Sequence, residues 1–117
     1  YKVFSNNFEV DEIFSLADFA IASFGVTAYE LTSIGVPSIY ISISEQHNEV
    51  ADLFHKEKLA VNLGVFHDLT KEKICKELRF FGKSKKNRDL FSKKCLATLD
   101  CCGSQRIAKE IIEVVEC

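Results

Sequence analysis

The chain has 117 residues, of which 47% are hydrophobic and 27% charged, a balance that excludes a disordered or collagen-like protein and suits one small domain. No apolar run approaches the roughly 20 residues of a membrane-crossing helix, and the opening YKVFSNNFEV lacks the basic-then-apolar pattern of a secretory leader. The net charge of -2 hides an asymmetry: residues 1–70 carry three Lys/Arg and ten Asp/Glu, residues 71–94 ten and three, and the remainder two and four.

In chain order, KVF at 2–4 reads as a short strand. VDEIFSLA then spaces Val10, Ile13, Phe14 and Ala17 as the apolar stripe of a helix. DFAIAS, residues 18–23, is short, apolar and bounded by Gly25, as a buried strand is. Ala28, Leu31 and Ile34 give the next helix one apolar face, with Gly35 as its C-cap and Pro37 just beyond. PSIYISI, residues 37–43, predicts a third strand, with Pro37 tolerated at its first position. SEQHNEVADLFHKEK predicts a helix with Val50, Leu53 and Phe54 on one face, and LAVNLG, from residue 59, a fourth strand. Three helices follow, over about 70–82, 86–99 and 104–116, punctuated by Gly82 and Gly103. In the basic stretch the cations are expected to face solvent, with Ile74, Leu78, Phe81, Leu90 and Phe91 turned inward and Lys85 and Lys86 in an exposed turn.

Strands alternating with helices of this length imply right-handed βαβ units and an α/β fold with a parallel sheet. Such sheets bind ligands beyond the carboxyl ends of their strands, which singles out the loops at 23–27 and 42–48. In ASFGVTAYE, Gly25 lets a ligand approach the backbone. The helix start exposes the N–H groups of Val26 and Thr27, and with the Thr27 hydroxyl these suit a phosphate. Glu30, three residues on, shares that helix face, and its carboxylate suits the two hydroxyls of a ribose. The pattern fits a nucleoside diphosphate. The same acid also stabilises a helix start with no ligand, by about 0.3–1 kcal/mol, and a Gly-x-Gly-x-x-Gly fingerprint is absent.

The second loop, SISEQHNE, opens a helix after a parallel strand. Gln46 and Asn48 offer donors and acceptors for sugar hydroxyls or an N-acetyl group. His47 is a phosphate donor or general acid/base, and Ser44 and Glu45 stand beside it. The plainer alternative is a helix capped by Ser44 with exposed polar side chains. Arg106, in DCCGSQRIAKEII, pairs with an acid or a phosphate, the structural pairing being preferred. His47, His55 and His67 are too dispersed for a metal, and no Gly-x-Ser-x-Gly nucleophile motif is present. Five cysteines, an odd number with no Cys-x-x-Cys pair, read as reduced thiols of a cytoplasmic protein.

The segment LADFAIASFGVTAYELTSIGVPSIYISISEQHNEVADLF resembles the nucleotide-binding half of the C-terminal domain of GT-B glycosyltransferase-like proteins. Within that class it is most similar to the UDP-sugar hydrolase of pseudaminic acid biosynthesis and its spore-coat polysaccharide relatives. The tail DCCGSQRIAKEI resembles their Asp-Gly-x-Gly-x-x-Arg-Ile ending. The resemblance covers nearly the whole chain, and its Gly-x-Thr-x-x-Glu and Gly-x-Pro elements recur across the class. It implies a Rossmann-like sheet with flanking helices, forming part of a GT-B C-terminal domain over residues 1–117. It places Phe24, Gly25, Val26 and Thr27 against a pyrophosphate, Glu30 on the uridine ribose, and Ser44, Glu45, Gln46 and His47 on the sugar side. Two departures stand out: Phe24 replaces the first of the family's paired glycines, where its ring would narrow the phosphate site, and Cys101 and Cys102 replace the Gly-x of the tail.

With no initiator methionine, the chain reads as a fragment. The resemblance implies an enzymatic parent, a hydrolase or glycosyltransferase of surface-polysaccharide or nonulosonic-acid synthesis. Its catalytic histidine belongs to an N-terminal domain outside this chain, so these residues alone would have no turnover. It also implies that the first strands of the domain, central in the family sheet, are missing, which would leave strand 18–23 with an exposed apolar edge. Neither cofactor, metal nor nucleic-acid partner is implied. The competing reading is a non-catalytic α/β interaction module, docking a partner or an anionic surface through 71–94, with peripheral membrane contact as one form. A receiver-like phosphate-binding domain is disfavoured, because no acidic cluster stands at the strand ends to hold Mg²⁺.

Overall fold

The computed structural model describes residues 2–5 and 10–117. Three strands form one parallel sheet in the order β1-β2-β3: β1 (Ala20–Ser23), β2 (Ser38–Ser42) and β3 (Ala60–Val65). Helix α1 (Val10–Ser15) precedes β1, α2 (Val26–Ser33) joins β1 to β2, and α3 (Glu45–Lys56) joins β2 to β3. A single 3-10 turn, Phe66–Asp68, then leads into α4 (Lys71–Gly82), α5 (Lys85–Thr98) and α6 (Gly103–Glu116).

The central strand is the most deeply buried, its apolar centre of Ile39, Tyr40 and Ile41 flanked by the buried Ser38 and Ser42. Tyr40 projects to the α2–α3 side, where Phe24, Ala28, Leu31, Ala51 and Phe54 surround it. Its neighbour Ile39 projects to the other side, against Val61, Leu63, Phe81 and Phe91. Phe81 is fully buried, its ring 5.1 Å from Phe91 and 5.9 Å from Phe19. Helix α5 crosses the amino edge of the sheet: the buried Cys95 thiol donates to the Leu59 carbonyl just before β3, at 3.1 Å. Burial pushes that thiol up to about 11.

At the end of α2 the chain turns through Gly35, at φ 75°, with the Val36 N–H bonded back to the Leu31 carbonyl. A Cβ at Gly35 would lie 2.7 Å from Leu96 Cγ, so glycine serves both the turn and the close approach of α5. Strand β3 carries an irregularity, Tyr40 pairing with Asn62 but Ser42 with Val65. Asn62 fastens it, donating to Asn48 Oδ1 (2.8 Å) and Asp52 Oδ1 (2.7 Å) and accepting from the Gly64 N–H (3.0 Å).

Three expectations are corrected. Residues 2–5 form no strand; Val3 is 78% exposed, so its side chain gains little burial to offset the entropy of ordering the segment in a sheet. Lys85 and Lys86 open α5 rather than occupying a turn, because Ser84 caps that helix by accepting from the Asn87 N–H. Leu90 is exposed, since the helix turns Phe91 and Cys95 inward instead. Strand β1 is a sheet edge with Ile21 half exposed. Helix α6 buries none of its residues.

Candidate functional site at the carboxyl edge of the sheet

Strands β1 and β2 are parallel neighbours, with Ser23 opposite Ile41. The ladder runs one residue further, the Phe24 N–H donating to the Ile41 carbonyl at 3.2 Å. Helix α2 starts at Val26 and α3 at Glu45, so the loops holding Thr27 and Gln46 lie side by side at one edge.

The two helix starts differ electrostatically. At α3, Ser44 accepts from the His47 N–H at 3.3 Å, and Glu45 places a carboxylate in the first turn, so this helix end is already served by its own residues. At α2 no side chain caps the helix and no acid lies in its first turn. The Gly25 carbonyl accepts from the Ala28 N–H at 3.0 Å, leaving the start of α2 as the end at which an anion gains most. Gly25 is extended, with φ 179°, a conformation open to any residue, and a Cβ there would meet nothing within 4 Å. Glycine therefore contributes open space rather than a special turn.

Thr27 is half-buried and Val26 and Glu30 are exposed. The Glu30 carboxylate makes no hydrogen bond or ion pair with another side chain among the described residues. Glu30 also lines a cavity of about 440 Å³ with Tyr29, Ser33, Leu99, Asp100, Cys101, Gly103 and Arg106. Proximity of the 99–106 turn to Glu30 is not visible in the linear spacing, because it depends on how α5 carries the chain back to α2. Arg106 takes the preferred structural role: its Nη1 donates to Asp100 Oδ2 at 2.6 Å and its Nη2 to Asp100 Oδ1 at 3.2 Å. That pairing holds the exposed Asp100 carboxyl down at about 2.

Phe24 requires a correction. Its ring is 5% exposed and packs edge-on against Phe54 at 5.1 Å and Tyr40 at 5.4 Å. It fills the core and does not narrow the loop; only its backbone is available there. Asn48 Oδ1 accepts from Asn62 Nδ2 at 2.8 Å, which ties that oxygen to β3. Gln46 and Glu45 are exposed, and His47 Nδ1 lies 3.1 Å from Ser44 Oγ. If the hydroxyl donates in that bond, the proton resides on Nε2, which is then a donor. The buried Ser42 hydroxyl, at the carboxyl end of β2, has no hydrogen-bond partner among the described residues. Leaving such a group unpaired costs about 1–3 kcal/mol, and only the folded register of β2 reveals it.

Among the described residues no group of three or more His, Cys, Asp or Glu is placed to hold a metal, and no helix is long and apolar enough to cross a membrane. No protein-family model, curated protein or solved structure matches the chain. What the geometry defines is an α/β protein with a three-stranded parallel sheet and two adjacent helix starts at its carboxyl edge.

Proposed function

We propose that the chain is the nucleotide-sugar-binding portion of a GT-B-like enzyme, holding a UDP-sugar at the carboxyl edge of β1 and β2. The observation that carries this reading is the uncapped start of α2 beside the loop that opens α3. The Val26 and Thr27 N–H groups and the Thr27 hydroxyl bind the diphosphate, aided by the helix dipole. The Glu30 carboxylate, one turn on, accepts from the ribose hydroxyls. Gln46 and His47 reach the sugar side, with Nε2–H of His47 a donor to a phosphate or hydroxyl oxygen, while Ser44 and Glu45 shape the loop. The parent acts as a hydrolase or glycosyltransferase of surface-polysaccharide or nonulosonic-acid synthesis in the cytoplasm. Its sugar-side catalytic groups come from an N-terminal domain of the same protein.

Calorimetric titration with UDP and with UDP-N-acetylglucosamine tests the reading. Hydrogen bonds to a charged acceptor are worth about 1.5–3 kcal/mol, so Glu30→Ala is expected to weaken UDP binding roughly tenfold to a hundredfold. Glu30→Gln, which keeps one acceptor, is expected to lose less. Equal UDP affinity in the wild type and Glu30→Ala would overturn the assignment.

A further inference from the structure

We propose that the outward face of α5 docks on an anionic lipid surface. Lys86, Leu90, Lys93, Lys94 and Ala97 recur at helical spacing and are all exposed. Phe91 and Cys95, on the opposite side of the helix, are buried in the two core clusters, which fixes the lysine face outward. Residues 83–94 hold six Lys/Arg and one acid, Asp89. That acid is spent on Lys85, 2.7 Å away. Lys83, Lys86, Lys93 and Lys94 form no salt bridge among the described residues. A shallow depression gathers Lys85, Lys86, Leu90 and Lys93 together.

The chemistry favours a lipid surface over a nucleic acid. The unpaired cations are all lysines, hydrated point charges suited to a diffuse anionic layer. The one arginine of the helix, Arg88, is half-buried and donates to the Phe81 carbonyl, so its guanidinium is held against α4 instead of standing among the lysines to grip a base or phosphate in two places. The one aromatic residue of the helix, Phe91, is buried, which leaves no stacking platform for bases on this face. What stands exposed among the lysines is Leu90, at 56%, the pairing of apolar and basic side chains found on helices that lie at a membrane surface. The face is also free to dock. Helix α5 lies at the amino edge of the sheet, sharing a depression with Ala17, Asp18, Gly35 and Pro37, which precede β1 and β2. Docking there leaves the carboxyl edge open, so this inference stands apart from the nucleotide reading.

Co-sedimentation with phosphatidylcholine vesicles, with and without phosphatidylserine, provides the test. Each lysine near an anionic leaflet strengthens partitioning roughly fivefold. Binding is expected only with phosphatidylserine, and to fall as salt rises. The fourfold variant Lys83→Gln, Lys86→Gln, Lys93→Gln and Lys94→Gln is expected to bind roughly several hundredfold more weakly. The same four positions changed to Arg should retain binding, with circular dichroism verifying the fold of both. Leu90→Ser should weaken vesicle binding with the charge intact. The proposal is overturned if the wild type ignores phosphatidylserine vesicles, if the Gln variant binds as the wild type does, or if polyuridylate is bound in preference to vesicles.

Discussion

Replacing Phe24 separates its two roles, core residue and wall of a phosphate loop. The ring is 5% exposed, with centroids 5.1 Å from Phe54, 5.4 Å from Tyr40 and 6.3 Å from Tyr29. Truncating a buried phenylalanine to alanine costs about 3–5 kcal/mol through lost transfer free energy and the cavity left behind. Each edge-on aromatic pair adds about 0.5–1.5 kcal/mol beyond area, which places Phe24→Ala toward the upper end. With a urea slope of about 1–3 kcal/mol/M for a small domain, the unfolding midpoint should fall by roughly 2 M. Phe24→Leu keeps most of the volume and should lose about 1.5 kcal/mol, leaving a folded protein for binding measurements. Its UDP affinity should stay within about twofold, because the ring points away from the loop. A Phe24→Ala protein that loses less than ~1 kcal/mol and binds UDP more tightly would show that the ring stands in the phosphate site.

Cys95 is raised from 9.0 to about 11 by burial. A group raised in the folded state contributes fully below its unfolded value, so urea midpoints should be steady up to about pH 9 and fall toward pH 11. Cys95→Ala should shallow that alkaline decline, and an unchanged slope would contradict the account. Asp100 is held at about 2 against an ordinary 3.8 by Arg106; Arg106→Ala should return its carbon-detected NMR titration toward the ordinary value. Because a lowered acid contributes above its unfolded value and the pair is exposed, the urea midpoint near neutral pH should hardly move. Since α6 buries none of its residues, deleting residues 103–117 should lower Tm by no more than about 4 °C; an unfolded product would show that α6 supports the core.

Much of the fold was legible because local and tertiary signals agree. Hydrophobic periodicity and short apolar runs locate α1, α2, α3 and all three strands, and Ser44 caps the helix it precedes, whereas the expectation of a turn at Lys85 and Lys86 misses the cap that Ser84 gives α5. The failures share a physical cause. KVF has strand-like residues but leaves Val3 largely exposed, and Leu90 and Phe91 are adjacent apolar residues of which a helix can turn only one inward. The two loops of the candidate site were legible from β-α alternation alone, since parallel neighbours put their helix starts at one edge. Linear spacing does not show that Phe24 points into the core, that Asn48 is held by Asn62, or that residues 99–106 approach Glu30. Each depends on contacts between residues distant in sequence or on which side of a strand faces the core.

The central claim is that residues 25–30 and 44–47 form one nucleoside-diphosphate site, and amide NMR during a UDP titration tests it most directly. The account predicts that the amides of Gly25, Val26, Thr27 and Glu30 shift together with those of Glu45, Gln46 and His47, along one saturation curve. Those of Lys86 and Lys93, on the opposite edge, should stay still. Shifts confined to α4 and α5, or a saturating response that leaves Val26 and Thr27 unmoved, would contradict it.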